Sequence, residues 1–219
     1  WNLAIAATAL RDWGIARKAW KENGIELGDG EGPIEKDFGI TPVRLNPADK
    51  GEVVWGTRID PVRVRIDSIP LPESGYHYGD VVLNDGAAAG VREIDEREYP
   101  VFNALELFEK SSFKTCIARV AAENQSDIEK LEELFSESHC EFEDWTINVR
   151  TLCRQCSEGK PHEYHDRELA SNDYGQREGW NSERKLGVAY HNIKDVCQLF
   201  DSWQKLSSGI LLEIFDDQP

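Results

Sequence analysis

Apolar and polar residues alternate through the middle of the chain and change to helical spacing toward its end. Between residues 53 and 103, short β-rich runs are separated by proline, glycine and Asn-Asp-Gly turns, which predicts about five strands. Val62, Val64 and Ile66 fall on one side of one such strand. Because short strands need a shared core, a small antiparallel barrel is expected over residues 53–110.

The pattern after residue 110 predicts two β-α-β units. The expected strands are Phe113–Val120, Phe142–Leu152, Lys185–Tyr190 and Ile210–Phe215. In the first unit, Ser126 is the expected helix N-cap, with Glu129 as its capping-box partner. Two such units in tandem give a β-α-β-β-α-β order, so residues 111–219 are expected to form a ferredoxin-like domain with an insert at 152–184.

The first 27 residues show two helical patterns that flank an Asp-aromatic turn. Ala7 and Ala16 supply small residues on the two segments, and Asp12-Trp13 forms the turn. This arrangement resembles a tetratricopeptide repeat, although Arg11 replaces the usual turn glycine. The resemblance implies an αα-hairpin over residues 1–27, and the Gly-, Asp- and Pro-rich residues 28–52 predict a linker. An ordinary pair of helices is the alternative.

Three stretches together resemble an uncharacterised bacterial family of tetratricopeptide-repeat proteins with a small β-barrel and a ferredoxin-like C-terminal region. They read WNLAIAATALRDW, IDSIPLPESGYHYGDVVLNDG and LEELFSESHCEFEDW, and the resemblance covers most of residues 1–166. It implies an α+β fold with this order of domains and a bacterial, cytoplasmic origin. It implies no reaction, because no activity is established for that family.

The charge of the chain favours a basic protein as its partner. A net charge of −16 repels nucleic-acid phosphates, so nucleic acid is not expected to bind, even at the arginine-bearing strands of the barrel. Between Glu123 and Asp144 there are nine acids and one lysine. The expected partner-binding residues on this helix are Glu129, Glu132, Glu133 and Glu137. A solvated helix face that serves only solubility is the alternative.

A Cys/His segment between the second and third strands is the candidate metal site. Cys153 and Cys156 have the spacing that lets two thiolates reach one zinc ion, and His162 and His165 follow after five intervening residues. Four protein ligands would close the coordination shell, which predicts a structural zinc. The alternatives are a zinc-dependent hydrolase that uses both cysteines and one histidine, a redox pair, and an ordinary surface loop.

The remaining features concern the compartment. Five cysteines in a chain of 219 residues do not indicate a disulfide framework, which predicts a reducing cytoplasm and buried thiols at Cys116, Cys140 and Cys197. No apolar run approaches the ~20 residues of a membrane span. The chain begins at Trp1 and contains no methionine, which predicts a piece of a longer chain or a processed one.

The sequence therefore favours a binding protein over an enzyme. It contains no nucleophile elbow, Walker motif or dinucleotide-binding glycine run. The expected function is a protein-binding or inhibitory module with a structural zinc site, in one form an immunity-type protein that neutralises a basic toxin.

Overall fold

The computed structural model describes residues 1–48, 51–94, 97–146 and 180–216. Within these residues the chain forms four α-helices and two β-sheets, which confirms the α+β class. The helices are α1 (Asn2–Ala9), α2 (Trp13–Glu22), α3 (Gln125–Ser136) and α4 (Ile193–Leu206). The strands are β1 (Ile40–Leu45), β2 (Glu52–Arg58), β3 (Arg63–Ile66), β4 (Val81–Ile94), β5 (Arg97–Glu109), β6 (Lys114–Ala121), β7 (Glu141–Asp144), β8 (Glu183–Tyr190) and β9 (Ile210–Asp216).

Helices α1 and α2 form a hairpin that packs on the barrel. The carboxylate of Asp12 caps α2 by accepting a hydrogen bond from the Ile15 amide at 3.1 Å. Small residues on both helices are buried together with Trp20, in a cluster that also contains Val62 and Leu83 of the barrel wall. The hairpin therefore buries its apolar face against the domain that follows it.

Strands β1 to β5 form a closed barrel in sequence order. Neighbouring strands are antiparallel, but β1 and β5 pair in parallel at Val43 and Phe102. The parallel closure follows from the odd number of strands, because the first and fifth strands of an up-and-down barrel run in the same direction. Strand β1 lies inside residues 28–52, for which the sequence predicts a linker.

Strand β4 runs through a position where the sequence predicts a turn. The predicted turn at Asn84-Asp85-Gly86 is an irregularity within one continuous strand. The side chain of Asn84 accepts a hydrogen bond from the Gly86 amide at 2.8 Å, and Gly86 has a φ of +70°. Trp1 packs on this glycine, where an added Cβ would lie 2.6 Å from the indole. The turn chemistry therefore bends the strand without ending it.

The C-terminal sheet has the strand order β7-β8-β6-β9, and all of its pairs are antiparallel. Helices α3 and α4 cover one face, where a cluster that includes Leu131, Phe200 and Trp203 forms the core. The N-cap of α3 lies two residues before the predicted cap. Asn124, not Ser126, is its N-cap and accepts a hydrogen bond from the Asp127 amide at 3.2 Å.

The barrel and the C-terminal sheet share a small buried cluster. Ile69, which follows β3, packs with Trp145 and Ala189. The indole of Trp145 lies directly over Gly187, where any side chain would collide with it. A carboxylate oxygen of Glu143 in β7 accepts a hydrogen bond from the Ile69 amide at 3.0 Å. These contacts hold the outer face of the sheet against the barrel.

Candidate partner-binding site

The four predicted partner-binding glutamates lie on the outer face of α3 and just after its end. Glu129, Glu132 and Glu133 are exposed on the helix, and the exposed Glu137 is its C-cap residue. Ile128, Leu131 and Phe135 occupy the opposite face and are buried against the sheet. The helical spacing of the apolar residues therefore turns the glutamates toward solvent.

The structure separates the acids of this region into internal and external groups. Asp127 is buried, and Asp144 pairs with Arg184 at 3.1 Å. The four predicted glutamates have no ion-pair partner within the described part of the chain. Lys130, the one base on α3, donates a hydrogen bond to the Leu206 carbonyl at 2.8 Å. Among the described residues, the face of α3 is therefore a negative surface without a cation placed to neutralise it.

A pocket of about 290 Å³ lies beside this face, between α3 and the edge strand β7. Its lining combines carboxylates, one guanidinium and two aromatic rings, from Gln125, Ile128, Glu132, Phe142, Glu143, Asp144, Trp180 and Arg184. Glu132 joins the pocket to the negative surface, because it belongs to both. Glu133 is the next residue on the helix and does not line the pocket.

Arg184 gives this pocket an internal cation. Its guanidinium pairs with Asp144 and lies 4.3 Å from the ring centroid of Trp180. The indole of Trp180 donates in turn to the Ala122 carbonyl at 2.7 Å. Arg184 is only 8% exposed, and its Nε is a buried donor without a hydrogen-bond partner within the described residues.

Sequence reasoning missed this pocket. It places Trp180 and Arg184 in a polar loop, because both lie among charged and small residues. An isolated tryptophan in such a stretch is the one signal that could have indicated a contact. Arg184 contacts Asp144, about forty residues earlier in the chain, and Trp180 contacts Ala122, about sixty residues earlier. Hydrophobic periodicity reports on near neighbours and does not predict contacts over such separations.

The predicted zinc ligands Cys153, Cys156, His162 and His165 lie outside the described residues, as does most of the predicted insert. Within the described ranges, no group of three or more His, Cys, Asp or Glu side chains is arranged to hold a metal ion. Of the cysteines expected to be buried, Cys116 and Cys140 are buried. Cys197 is exposed, because it lies on the solvent side of α4 next to the buried Val196.

A second pocket of about 510 Å³ lies between the barrel and the connection from β5 to β6, and Tyr78 and Arg65 are among its lining residues. Burial raises the pKa of Tyr78, and the charges of Glu141 and Asp67 raise it further against the opposing effect of Arg65. The phenol is therefore a hydrogen-bond donor and is not activated as a nucleophile. Nearby His77 lies 3.8 Å from the buried carboxylate of Asp80.

The arginines of the barrel are largely engaged within the protein. Arg58 donates to the Pro61 carbonyl, Arg63 pairs with Asp60, and Arg65 pairs with Asp67. Arg63 is buried and also stacks 4.7 Å from the ring centroid of Trp13, so it joins the hairpin to the barrel. These contacts give the arginines a structural role, which favours the α3 surface over the barrel as the candidate site.

Comparison with protein-family models finds no match, and comparison with curated proteins finds none either. A solved structure of a hypothetical protein from Neisseria gonorrhoeae is similar to this chain, at 12% sequence identity and a TM-score of 0.31. The similarity covers 81% of this chain and 92% of that protein. Among the described residues, no helix combines the length and the apolar character needed to cross a bilayer.

Proposed function

We propose that this chain is a protein-binding module that captures a basic partner through the negative face of α3. The observation that carries the proposal is a row of exposed glutamates without cationic partners in the described residues, on a helix whose one lysine is bonded elsewhere. Charge complementarity of this kind steers association and selects partners by sign. In its inhibitory form the partner is a basic toxin, and the chain acts as an immunity-type protein.

Substitutions that neutralise glutamates on two separate surfaces test this proposal. A triple variant, Glu129→Gln with Glu133→Gln and Glu137→Gln, should weaken binding of a fluorescent oligolysine by about tenfold at low salt, and added salt should reduce the difference. The matched control changes Glu22, Glu31 and Glu35, which are also exposed, to glutamine. If both variants weaken binding equally, net charge alone attracts the peptide and α3 is not the site.

We also propose a structural zinc ion held by Cys153, Cys156, His162 and His165, supported by the spacing of these residues in the sequence. Purified protein should contain about one zinc per chain by elemental analysis, and Cys153→Ser should lose it, because three remaining ligands bind zinc far more weakly. The control Cys197→Ser removes an exposed thiol elsewhere and should retain the metal. A metal-free wild-type protein would contradict the proposal.

We also propose a finer fold assignment for the hairpin, another for the C-terminal domain, and a cellular location for the protein. The capped Asp12-Trp13 turn and the buried alanines of the hairpin support a tetratricopeptide-like unit. The element order β6-α3-β7-β8-α4-β9 and the strand order β7-β8-β6-β9 support a ferredoxin-like C-terminal domain. A cytoplasmic location in a bacterial cell, as in the resembled family, fits the thiol content of the chain.

A further inference from the structure

Among the described strands, β7 presents an open edge beside the negative surface. Within the described residues it pairs with β8 alone, at the end of the sheet order. Along an antiparallel strand, every second residue directs its main-chain groups toward the same neighbouring strand. The Trp145 amide donates to the Lys185 carbonyl of β8, so the main-chain groups two residues earlier on β7 also point toward β8. The amides and carbonyls of Phe142 and Asp144 therefore point away from the sheet, where another strand can pair with them.

The pocket next to this edge combines groups that a basic peptide would satisfy together. Glu132 offers negative charge that no described cation neutralises, and Phe142 and Trp180 offer apolar walls for the methylene stem of a long side chain. The buried Nε–H of Arg184 is a donor without an acceptor in the described residues, at the wall of the same pocket. A peptide carries both the cation and the main-chain carbonyl that these groups require.

We infer that an extended basic segment of the partner adds as a strand to the edge of β7 and places a lysine or arginine side chain in the α3–β7 pocket. This inference rests on the proposed function and specifies how it is carried out. Main-chain hydrogen bonds to Phe142 and Asp144 supply affinity, and the pocket supplies selection for a long cationic side chain. Glu132 lines the pocket and pairs with the arriving cation.

A pair of neighbouring substitutions separates the pocket from the general surface charge. The probe is a blocked, fluorescent heptapeptide of alternating lysine and threonine, which favours an extended chain. Glu132→Gln should weaken its binding by about tenfold, because Glu132 lines the pocket. Glu133→Gln removes the same charge from the next exposed position and should weaken it about twofold or less. Circular dichroism and thermal unfolding verify that both variants keep the fold.

Hydrogen exchange tests the strand pairing directly. In the wild-type protein, the peptide should slow exchange of the Phe142 and Asp144 amides, and a version with alternate N-methylated residues should neither bind well nor protect them. Equal losses in the two glutamine variants, or unchanged exchange at β7, would overturn this inference while the negative surface of α3 could still bind the peptide. Failure of the wild-type protein to bind oligolysine at low salt would instead contradict the proposed function itself.

Discussion

Asp127 shows how one side chain connects two distant parts of the chain. Its carboxylate accepts hydrogen bonds from the Ser208 amide at 3.1 Å and from the Ser208 hydroxyl at 2.8 Å. It also accepts from the Glu123 amide at 3.0 Å, so it ties the start of α3 to the turn between α4 and β9. Burial by itself would raise the pKa of Asp127, but the hydrogen bonds outweigh burial and lower it.

The lowered pKa predicts a specific dependence of stability on pH. Because the folded pKa lies below that of the unfolded chain, the stabilisation is complete above about pH 4 and is lost as pH falls through the folded pKa. Asp127→Asn should lower the free energy of unfolding at pH 7 by about 2 kcal/mol, since hydrogen bonds to a charged acceptor are lost. Urea unfolding should show this difference shrinking below about pH 4.

Asp195 supplies the control for this measurement. It occupies the first turn of α4, as Asp127 does in α3, but it is exposed. Asp195→Asn should change the unfolding free energy by less than about 1 kcal/mol, because an exposed acid in a first turn gains only the interaction with the helix dipole. An equal loss in the two variants, or a loss for Asp127→Asn that does not shrink as the pH falls below about 4, would contradict the proposed role of the buried carboxylate.

At the scale of elements, the sequence predicts the regular segments well and the irregular ones poorly. Strands β6, β8 and β9 lie close to their predicted positions, because each carries a clear apolar pattern. Strand β1 is missed because Pro42 interrupts a short run, and only pairing with β2 and β5 defines it. The N-cap of α3 is misplaced by two residues, because Asn124 with Asp127 repeats the spacing of Ser126 with Glu129, and it is the Asn124 side chain that caps the helix.

The edge strand β9 combines an open edge with exposed apolar side chains. Ile210, Leu212 and Phe215 are 55%, 47% and 43% exposed, and β9 pairs only with β6 among the described residues. Edges of this kind favour association between chains unless a charge or a proline protects them. Leu212→Lys should therefore reduce concentration-dependent light scattering of the protein and change the unfolding free energy by less than about 0.5 kcal/mol.

Leu10 allows a comparison that separates the edge from exposed apolar area in general. It is 81% exposed and is the C-cap residue of α1. Leu10→Lys should leave the scattering nearly unchanged, because Leu10 belongs to a helix end and not to a strand edge. If both substitutions reduce scattering to the same extent, association depends on exposed apolar side chains rather than on the edge of β9.

At the scale of the whole molecule, the candidate site depends on parts that are far apart in sequence. The glutamate row could be predicted because it lies on one helix, whereas the pocket combines α3, β7, Trp180 and Arg184. The barrel also contributes, since the Ile69 amide donates to Glu143 on the strand that forms the open edge. Sequence patterns report on neighbours along the chain, so the charge of the site was predictable and its shape was not.

The shared cluster predicts that the barrel and the C-terminal sheet unfold together. Ile69 is 2% exposed and packs with Trp145 and Ala189 across the junction. Ile69→Ala should lower the unfolding free energy by about 2–5 kcal/mol, because it leaves a cavity between the two sheets. Tryptophan fluorescence and far-UV circular dichroism should report one coincident urea transition, shifted to lower urea in the variant.

Ile40→Ala is the control for this measurement. Ile40 is 60% exposed, so the substitution should barely shift the urea transition. Two separate transitions in the wild-type protein would show that the junction does not couple the sheets, and the edge of β7 would then not depend on the barrel for its position.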